Sequence, residues 1–210
     1  MTGKKNQKPK DWTGNKHSVH MSIGSRNLAL HDREMHDFYA TEPKATELLL
    51  ELDNFSDVWE CACGQGHMAK VLKKQGILKL ATDKYNYGYG KHYDFLASPT
   101  DKQDYISKWH GDIITNPPYK YANEFMKKAL EILDCNRKLA LFLPIRYLES
   151  KTRKKIFTEN PPKKIWVSSS RLNCARNGDF VTFPTNSTIC YAWFIWEKGY
   201  KGKTELDWFN

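Results

Sequence analysis

Asn116-Pro117-Pro118-Tyr119 follows the apolar run Asp112-Ile113-Ile114-Thr115, and these four residue types suit one kind of chemistry. The exocyclic amine of adenine or cytosine is a poor nucleophile, because its lone pair is delocalised into the ring. Two acceptors aimed at its two N–H bonds draw the nitrogen toward a tetrahedral geometry and restore that lone pair as a methyl group arrives on a sulfonium. Asn116 can offer its side-chain oxygen and Pro117 its backbone carbonyl, and the two prolines fix the dihedrals that aim them. Tyr119 supplies a flat face on which an extruded base can stack. Neither a metal nor a strong base is needed, since the electrophile comes with the cofactor. A Pro-Pro turn with a structural tyrosine would look the same in isolation. Its place after an apolar strand and before an amphipathic helix favours the chemical reading.

A second constellation lies upstream. Glu60-Cys61-Ala62-Cys63-Gly64-Gln65-Gly66 reads as a strand running into Gly-x-Gly and then a helix. Glycines let the chain turn sharply and let a ligand approach the backbone, and a helix amino end favours negative groups such as a carboxylate. Cys61 and Cys63 with His67 lack the further ligands that a structural metal site requires, so no metal is expected and the cysteines read as small residues packing the turn. Asp83 closes the next strand, where an acidic side chain can accept from both hydroxyls of a ribose. Asp94-Phe95 follows a loop holding Tyr85, Tyr87, Tyr89 and Tyr93. There a carboxylate can accept from an adenine amine and a ring can cover the purine face.

The elements that must position these residues are legible from spacing. Thr41-Glu42-Pro43 with Ala45, Leu48, Leu49 and Leu52 predicts a helix over about 42–52 with Thr41 as its cap. Strands are predicted over 58–62, 78–82, 112–115, 139–145, 165–168 and 189–196, and helices over 67–75, 121–133 and 147–158. The continuous apolar run from Leu139 to Ile145 suits a strand buried on both faces of a parallel sheet. Residues 169–187 read as a long irregular connection, of the kind compact domains reserve for function. The alternation implies an open α/β fold, a mostly parallel sheet covered by helices on both faces, with ligands bound beyond the carboxyl ends of the strands.

Composition limits the partners. A chain of 210 residues holds one sizeable core, and we expect one domain over 37–210 behind a basic N-terminal arm over 1–36. Lys and Arg total 33 against 24 Asp and Glu, a formal +9, which favours a polyanionic partner. The excess gathers in two places, five lysines against Asp11 in residues 1–20 and eight Lys or Arg against Glu159 in residues 151–176. Five scattered cysteines make a poor disulfide framework, and there is no apolar run of membrane-spanning length and no secretory leader. A reducing, cytoplasmic setting without membrane attachment is expected, with the protein a monomer or weak dimer.

Taken in order, Asp37-Phe38-Tyr39-Ala40-Thr41, Glu60 to Gly66, Asp83, Asp94-Phe95 and Asn116 to Tyr119 resemble the motifs of amino-methylating DNA methyltransferases, particularly small phage and prophage adenine-N6 enzymes. The likeness covers roughly residues 37–145, and Ala192 to Gly199 resembles the closing strand of that group. It implies a Rossmann-like class I methyltransferase fold with a seven-stranded sheet ending in an antiparallel hairpin, and S-adenosylmethionine as cofactor. It further implies cofactor contacts from Tyr39, Thr41, Glu60, Cys61, Ala62, Gly64, Gly66, Asp83, Asp94, Phe95 and Asn116, with Asn116, Pro117, Pro118 and Tyr119 catalytic. The target would be DNA, adenine N6 before other amines. The large target-recognition domain of restriction-type enzymes is missing, so selectivity falls to the N-terminal arm, the 147–158 helix or the 169–187 loop, with Arg146, Arg171 and Arg176 as candidate nucleic-acid contacts. An RNA adenine methyltransferase, a glutamine-amide methyltransferase and a non-catalytic binding module are the alternatives.

Overall fold

A computed structural model describes residues 39–101, 105–176, 178, 180 and 189–210, with only the backbone described at Arg176. The expected arm over 1–36, together with Asp37, Phe38 and much of the 169–187 connection, lies outside the described residues. Strand β1 (Tyr39–Thr41) leads into helix α1 (Pro43–Leu52), then β2 (Val58–Glu60), α2 (His67–Lys74), β3 (Leu78–Asp83) and β4 (Lys91–His92). Next come β5 (Ile113–Thr115), α3 (Ala122–Ile132), β6 (Lys138–Pro144), α4 (Lys151–Glu159), β7 (Lys164–Ser168) and β8 (Cys174–Arg176). Strands β9 (Tyr191–Glu197) and β10 (Glu205–Phe209) complete the order.

Eight strands form one sheet in the order β10-β7-β9-β6-β5-β2-β3-β4. All neighbours run parallel except β9, which is antiparallel to both β6 and β7. Side chains alternate between faces along each strand, so β6 serves two cores at once. Leu139, Leu141 and Leu143 join Trp59, Ile113, Phe194 and Trp196 under α3 and α4. Ala140 and Phe142 join Val58, Ile114, Trp193 and Ile195 under α1 and α2. Helix-period apolar residues meet these faces, as at Phe125, Met126 and Ala129 of α3 and Met68 and Leu72 of α2.

The structure departs from the sequence reading in five places. The sheet has eight strands, because β10 adds itself parallel to β7 beyond the expected hairpin. The 169–187 connection is not wholly irregular: β8 lies within it and pairs antiparallel with β1, as a separate two-stranded ribbon in the register Thr41↔Cys174. The helix expected over 147–158 is a 3-10 turn, Ile145–Leu148, followed by α4, with the break at Ser150, whose φ is 123°. The strand expected to reach Ala62 ends at Glu60. Finally, Thr41 does not cap α1. Glu42 holds that position without a side-chain cap bond, and the Thr41 hydroxyl is engaged elsewhere.

From β2 the chain moves outward to β3 and β4, and from β5 it moves the opposite way to β6. The reversal opens a crevice beyond the carboxyl ends of β2 and β5, the usual place for ligands in a doubly wound sheet. Glu60 ends β2 and Asn116 follows β5, so both motifs arrive at that crevice.

Candidate active site

A cavity of about 460 Å³ fills this crevice, a size within the range of small-molecule sites. Its walls include Tyr39 and Thr41 from β1, Glu60 from β2, Asp83 from β3, and Asn116 and Tyr119 after β5. Cys61, Ala62, Asp94, Phe95, Pro117 and Pro118 line it as well. Twelve sequence-predicted residues from five chain segments thus share one space, and only Gly64 and Gly66 among the expected cofactor residues stand behind its wall.

Asn116 has the most constrained side chain. Its Nδ2 donates to the Tyr39 carbonyl at 3.1 Å and to Thr41 Oγ1 at 2.9 Å. A backbone carbonyl can only accept, so the amide orientation is dictated by its partners. The consequence falls on Oδ1, which is buried with no hydrogen-bond partner. An unpaired buried acceptor is costly, and one on a cavity wall is suited to a donor on a ligand. After Pro118, the 3-10 turn Tyr119–Tyr121 is closed by the Tyr121 amide donating to the Pro118 carbonyl at 2.8 Å. That bond commits the Pro118 oxygen and turns Tyr119 back toward the fold. The Tyr119 ring lies 6.3 Å from that of Tyr39, with the planes 9° apart.

The lining is also acidic. Asp83 is 8% exposed and accepts from the Gly64 amide through Oδ2 and the Tyr85 amide through Oδ1, both at 2.9 Å. These bonds tie the glycine turn to the end of β3. Glu60 is 3% exposed, and its Oε2 lacks a hydrogen-bond partner. Burial holds the Glu60 carboxyl well above the ordinary range, and the charge of Asp83 adds to the rise. Asp94 accepts from the Leu96 amide at 3.0 Å and pairs with Lys84 at 2.8 Å. Phe95 is 2% exposed, wedged against Phe125 and Trp59, so it anchors this wall to the core.

Gly66 adopts φ +78° just before α2, and a Cβ there would collide with the Tyr89 ring. Cys61 and Cys63 are buried beside this turn as free thiols, with burial pushing Cys63 up to about 12. Among the described residues no group of three or more His, Cys, Asp or Glu is placed to hold a metal ion. Nor is any described helix long and apolar enough to cross a membrane.

Sequence reasoning passed over several wall residues. His67, Lys84, Lys120 and Tyr121 line the cavity, the first with its imidazole lowered by burial and by Lys70. Each directly follows or adjoins a recognised motif, and that adjacency was the available signal. Cys174, 3.8 Å from Asn116 Nδ2 and not part of the wall, carried none, since a single cysteine in an irregular stretch has no pattern. Arg146 is exposed on the 3-10 turn after β6, Arg171 is exposed near Cys190, and neither lines the cavity.

No protein-family model and no curated protein sequence matches the chain. Solved structures do share its architecture. A Listeria monocytogenes protein described as a class I S-adenosylmethionine-dependent methyltransferase aligns over 91% of this chain and 71% of its own, at 12% identity and a TM-score of 0.55. A chain of a type I restriction–modification system aligns over 87% of this chain and 47% of its own, at 13% identity and a TM-score of 0.53. An Agrobacterium tumefaciens protein described as an O-methyltransferase aligns over 78% of this chain and 84% of its own, at 12% identity and a TM-score of 0.52. The chain has the Rossmann-like fold of class I methyltransferases, and at these identities the likeness speaks for the fold.

Proposed function

We propose that the protein is an S-adenosylmethionine-dependent methyltransferase acting on the exocyclic amine of a nucleic-acid base, with adenine N6 in DNA as the preferred target. One observation carries the reading: both hydrogens of the Asn116 amide are committed to β1, which leaves a buried, unpartnered oxygen on the wall of a cavity shared with a carboxylate cluster.

The residues present fit the cofactor. Its sulfonium and ammonium groups are cationic, and the carboxylate of Asp83, with the unpartnered Glu60 oxygen beside it as an acceptor, suits them. On this reading Asp83 accepts from ribose hydroxyls, and Asp94 with Phe95 receives the adenine. Gly64 and Gly66 give the turn its close approach ahead of α2. When bound, the cofactor supplies a methyl group on a positively charged sulfur.

The chain does the rest by orientation. Asn116 Oδ1 and the Pro117 carbonyl each accept one N–H of the target amine, which leaves its lone pair directed at the incoming methyl group. Tyr119 supports the base from one face, and the basic surface holds the flanking phosphates while the base is turned out of its stack. That a chain of a restriction–modification system shares the fold supports nucleic acid as the substrate class.

The test is incubation of wild type and Asn116→Ala with tritiated methyl donor and, in parallel, unmodified plasmid DNA, bulk RNA and bulk protein. Label in DNA that Asn116→Ala abolishes supports the reading. Label in RNA or in glutamine amides moves the target to those classes, and unchanged labelling by Asn116→Ala removes the proposed active site.

A further inference from the structure

A polar cluster lies behind the catalytic turn, and the chemistry above does not use it. The register of the β1–β8 ribbon sets Cys174 beside Thr41. There Cys174 Sγ receives the Tyr119 hydroxyl at 3.7 Å and faces Asn116 Nδ2 at 3.8 Å. Tyr191, 4% exposed at the start of β9, brings its hydroxyl close enough to act on both Cys174 and Tyr119. Its ring is held from behind by a stack on Phe142, with centroids 5.0 Å apart and planes at 17°. Three stretches far apart in sequence therefore converge on the back of one turn. Burial pushes the Cys174 thiol up to about 11, so at neutral pH it is an uncharged S–H with little nucleophilic character.

The cluster bears on a choice the Asn116 amide must make. The Thr41 hydroxyl can donate as well as accept, so by itself it tolerates either orientation of that amide. The Tyr39 carbonyl tolerates only Nδ2, and sulfur, a weak donor already receiving Tyr119, favours Nδ2 too as a weaker acceptor sharing one of its two hydrogens. Tyr119 is held in a related way, because the bond from its hydroxyl anchors the far end of the ring that stands nearly parallel to Tyr39.

We propose that Cys174 and Tyr191 are positioning residues for methyl transfer, which together hold the Asn116 oxygen toward the cavity and the Tyr119 ring at its angle. The inference rests on the reading of Asn116 as the amine acceptor. Neither residue touches the substrate. Removing their polar atoms lowers the rate of transfer and spares the affinity for the methyl donor.

The test compares Cys174→Val, Cys174→Ser and Tyr191→Phe with wild type and Asn116→Ala. Cys174→Val keeps the bulk and removes the acceptor, Cys174→Ser restores an acceptor, and Tyr191→Phe keeps the ring stack. Three readouts are taken: single-turnover labelling of unmodified plasmid DNA, calorimetric affinity for S-adenosylmethionine, and the side-chain amide NMR resonances of Asn116, assigned by their loss in Asn116→Ala. Cys174→Val and Tyr191→Phe are expected to label about tenfold more slowly, with donor affinity within about twofold of wild type. Cys174→Ser is expected to recover most of the rate. The Asn116 amide resonances move in the valine variant and stay in place in the serine variant, a readout that needs no knowledge of the target.

Wild-type rates and unmoved amide resonances in both Cys174→Val and Tyr191→Phe overturn the positioning role. So does an equal loss in Cys174→Val and Cys174→Ser. Should the valine variant fail to fold, Tyr191→Phe carries the comparison alone. Loss of labelling in Asn116→Ala with wild-type behaviour in the other variants overturns this inference and leaves the methyltransferase reading standing. Unchanged labelling in Asn116→Ala overturns the reading beneath it.

Discussion

Asn116 donates its side-chain amide to the Thr41 hydroxyl at 2.9 Å, across 75 residues of sequence. The bond joins the ribbon strand β1 to the turn after β5 and, with the Tyr39 carbonyl, decides which atom of the amide meets a ligand. Thr41→Val keeps the shape and removes the hydroxyl. We expect it to slow methyl transfer about five- to tenfold, the worth of one hydrogen bond, while Thr41→Ser stays near wild type. Steady-state kinetics on plasmid DNA check this. A valine variant at full rate would show that the Tyr39 carbonyl suffices.

Glu60 makes stability depend on pH. Burial first and the charge of Asp83 second hold its carboxyl well above the ordinary value of 4.5. The folded protein therefore binds that proton more tightly than the unfolded chain does. Below 4.5 both states are protonated and this difference is fully present as stability; as pH rises from there toward the folded value, it is progressively lost. Glu60→Gln lacks the dependence. Its unfolding midpoint should gain on wild type between about pH 5 and pH 7 and run parallel to it below that window. Thermal unfolding across pH reads the effect, and parallel curves throughout would count against it.

The same residue should link donor binding to proton release, because a cationic ligand lowers the cost of ionising a buried carboxyl. Calorimetric titration of wild type with S-adenosylmethionine should give enthalpies that change with the ionisation heat of the buffer. Glu60→Gln should show less of that dependence, and equal buffer dependence in the two proteins would refute the link.

Asp83 holds two backbone amides, those of Gly64 and Tyr85. Asp83→Ala should weaken donor binding by about tenfold to a hundredfold, since bonds to a charged acceptor are lost and the glycine turn is untied. Asp83→Asn keeps one acceptor oxygen and should fall between. Equilibrium binding decides, and affinities in the order alanine, asparagine, wild type from weakest to tightest are required.

Gly66 combines a left-handed φ of +78° with the Tyr89 ring against its α-carbon. Gly66→Ala should cost about 1–3 kcal/mol of stability from these two sources. Tyr89→Ala in the same background should return only the part due to the collision, since the backbone conformation is unchanged. A double variant as stable as Tyr89→Ala alone would show that backbone strain contributes nothing.

Much of the fold was readable because long buried segments carry their own periodicity. The run from Leu139 to Leu143 is apolar on both faces, and α3 repeats its core residues at helical spacing. The crevice residues were readable for a different reason: they lie near strand ends, where the glycines and prolines of the two motifs also mark boundaries. What escaped is non-local. Strands β1 and β8 have three residues each and no partner nearby in sequence, so their pairing leaves no local trace. Thr41 has the residue type and position of a helix cap, and only the assembled fold shows its hydroxyl on Asn116. Strand β10 alternates, but Leu206 and Trp208 are exposed at 46% and 62% while Phe209 is buried, so the pattern does not announce which face packs.

Chain order gives the ribbon a temporal consequence. By the time Cys174 leaves the ribosome, β2, β3, β5 and β6 have already been synthesised, and with them every carboxylate on the cavity wall. A contact between segments so far apart closes late, because a long stretch of chain must first be brought together. A nascent polypeptide halted before that residue would hold the carboxylates of the crevice while β1, which carries the partners of the Asn116 amide, still lacked its pairing strand. The acidic side of the crevice would then be in place before the ribbon behind Asn116 is complete.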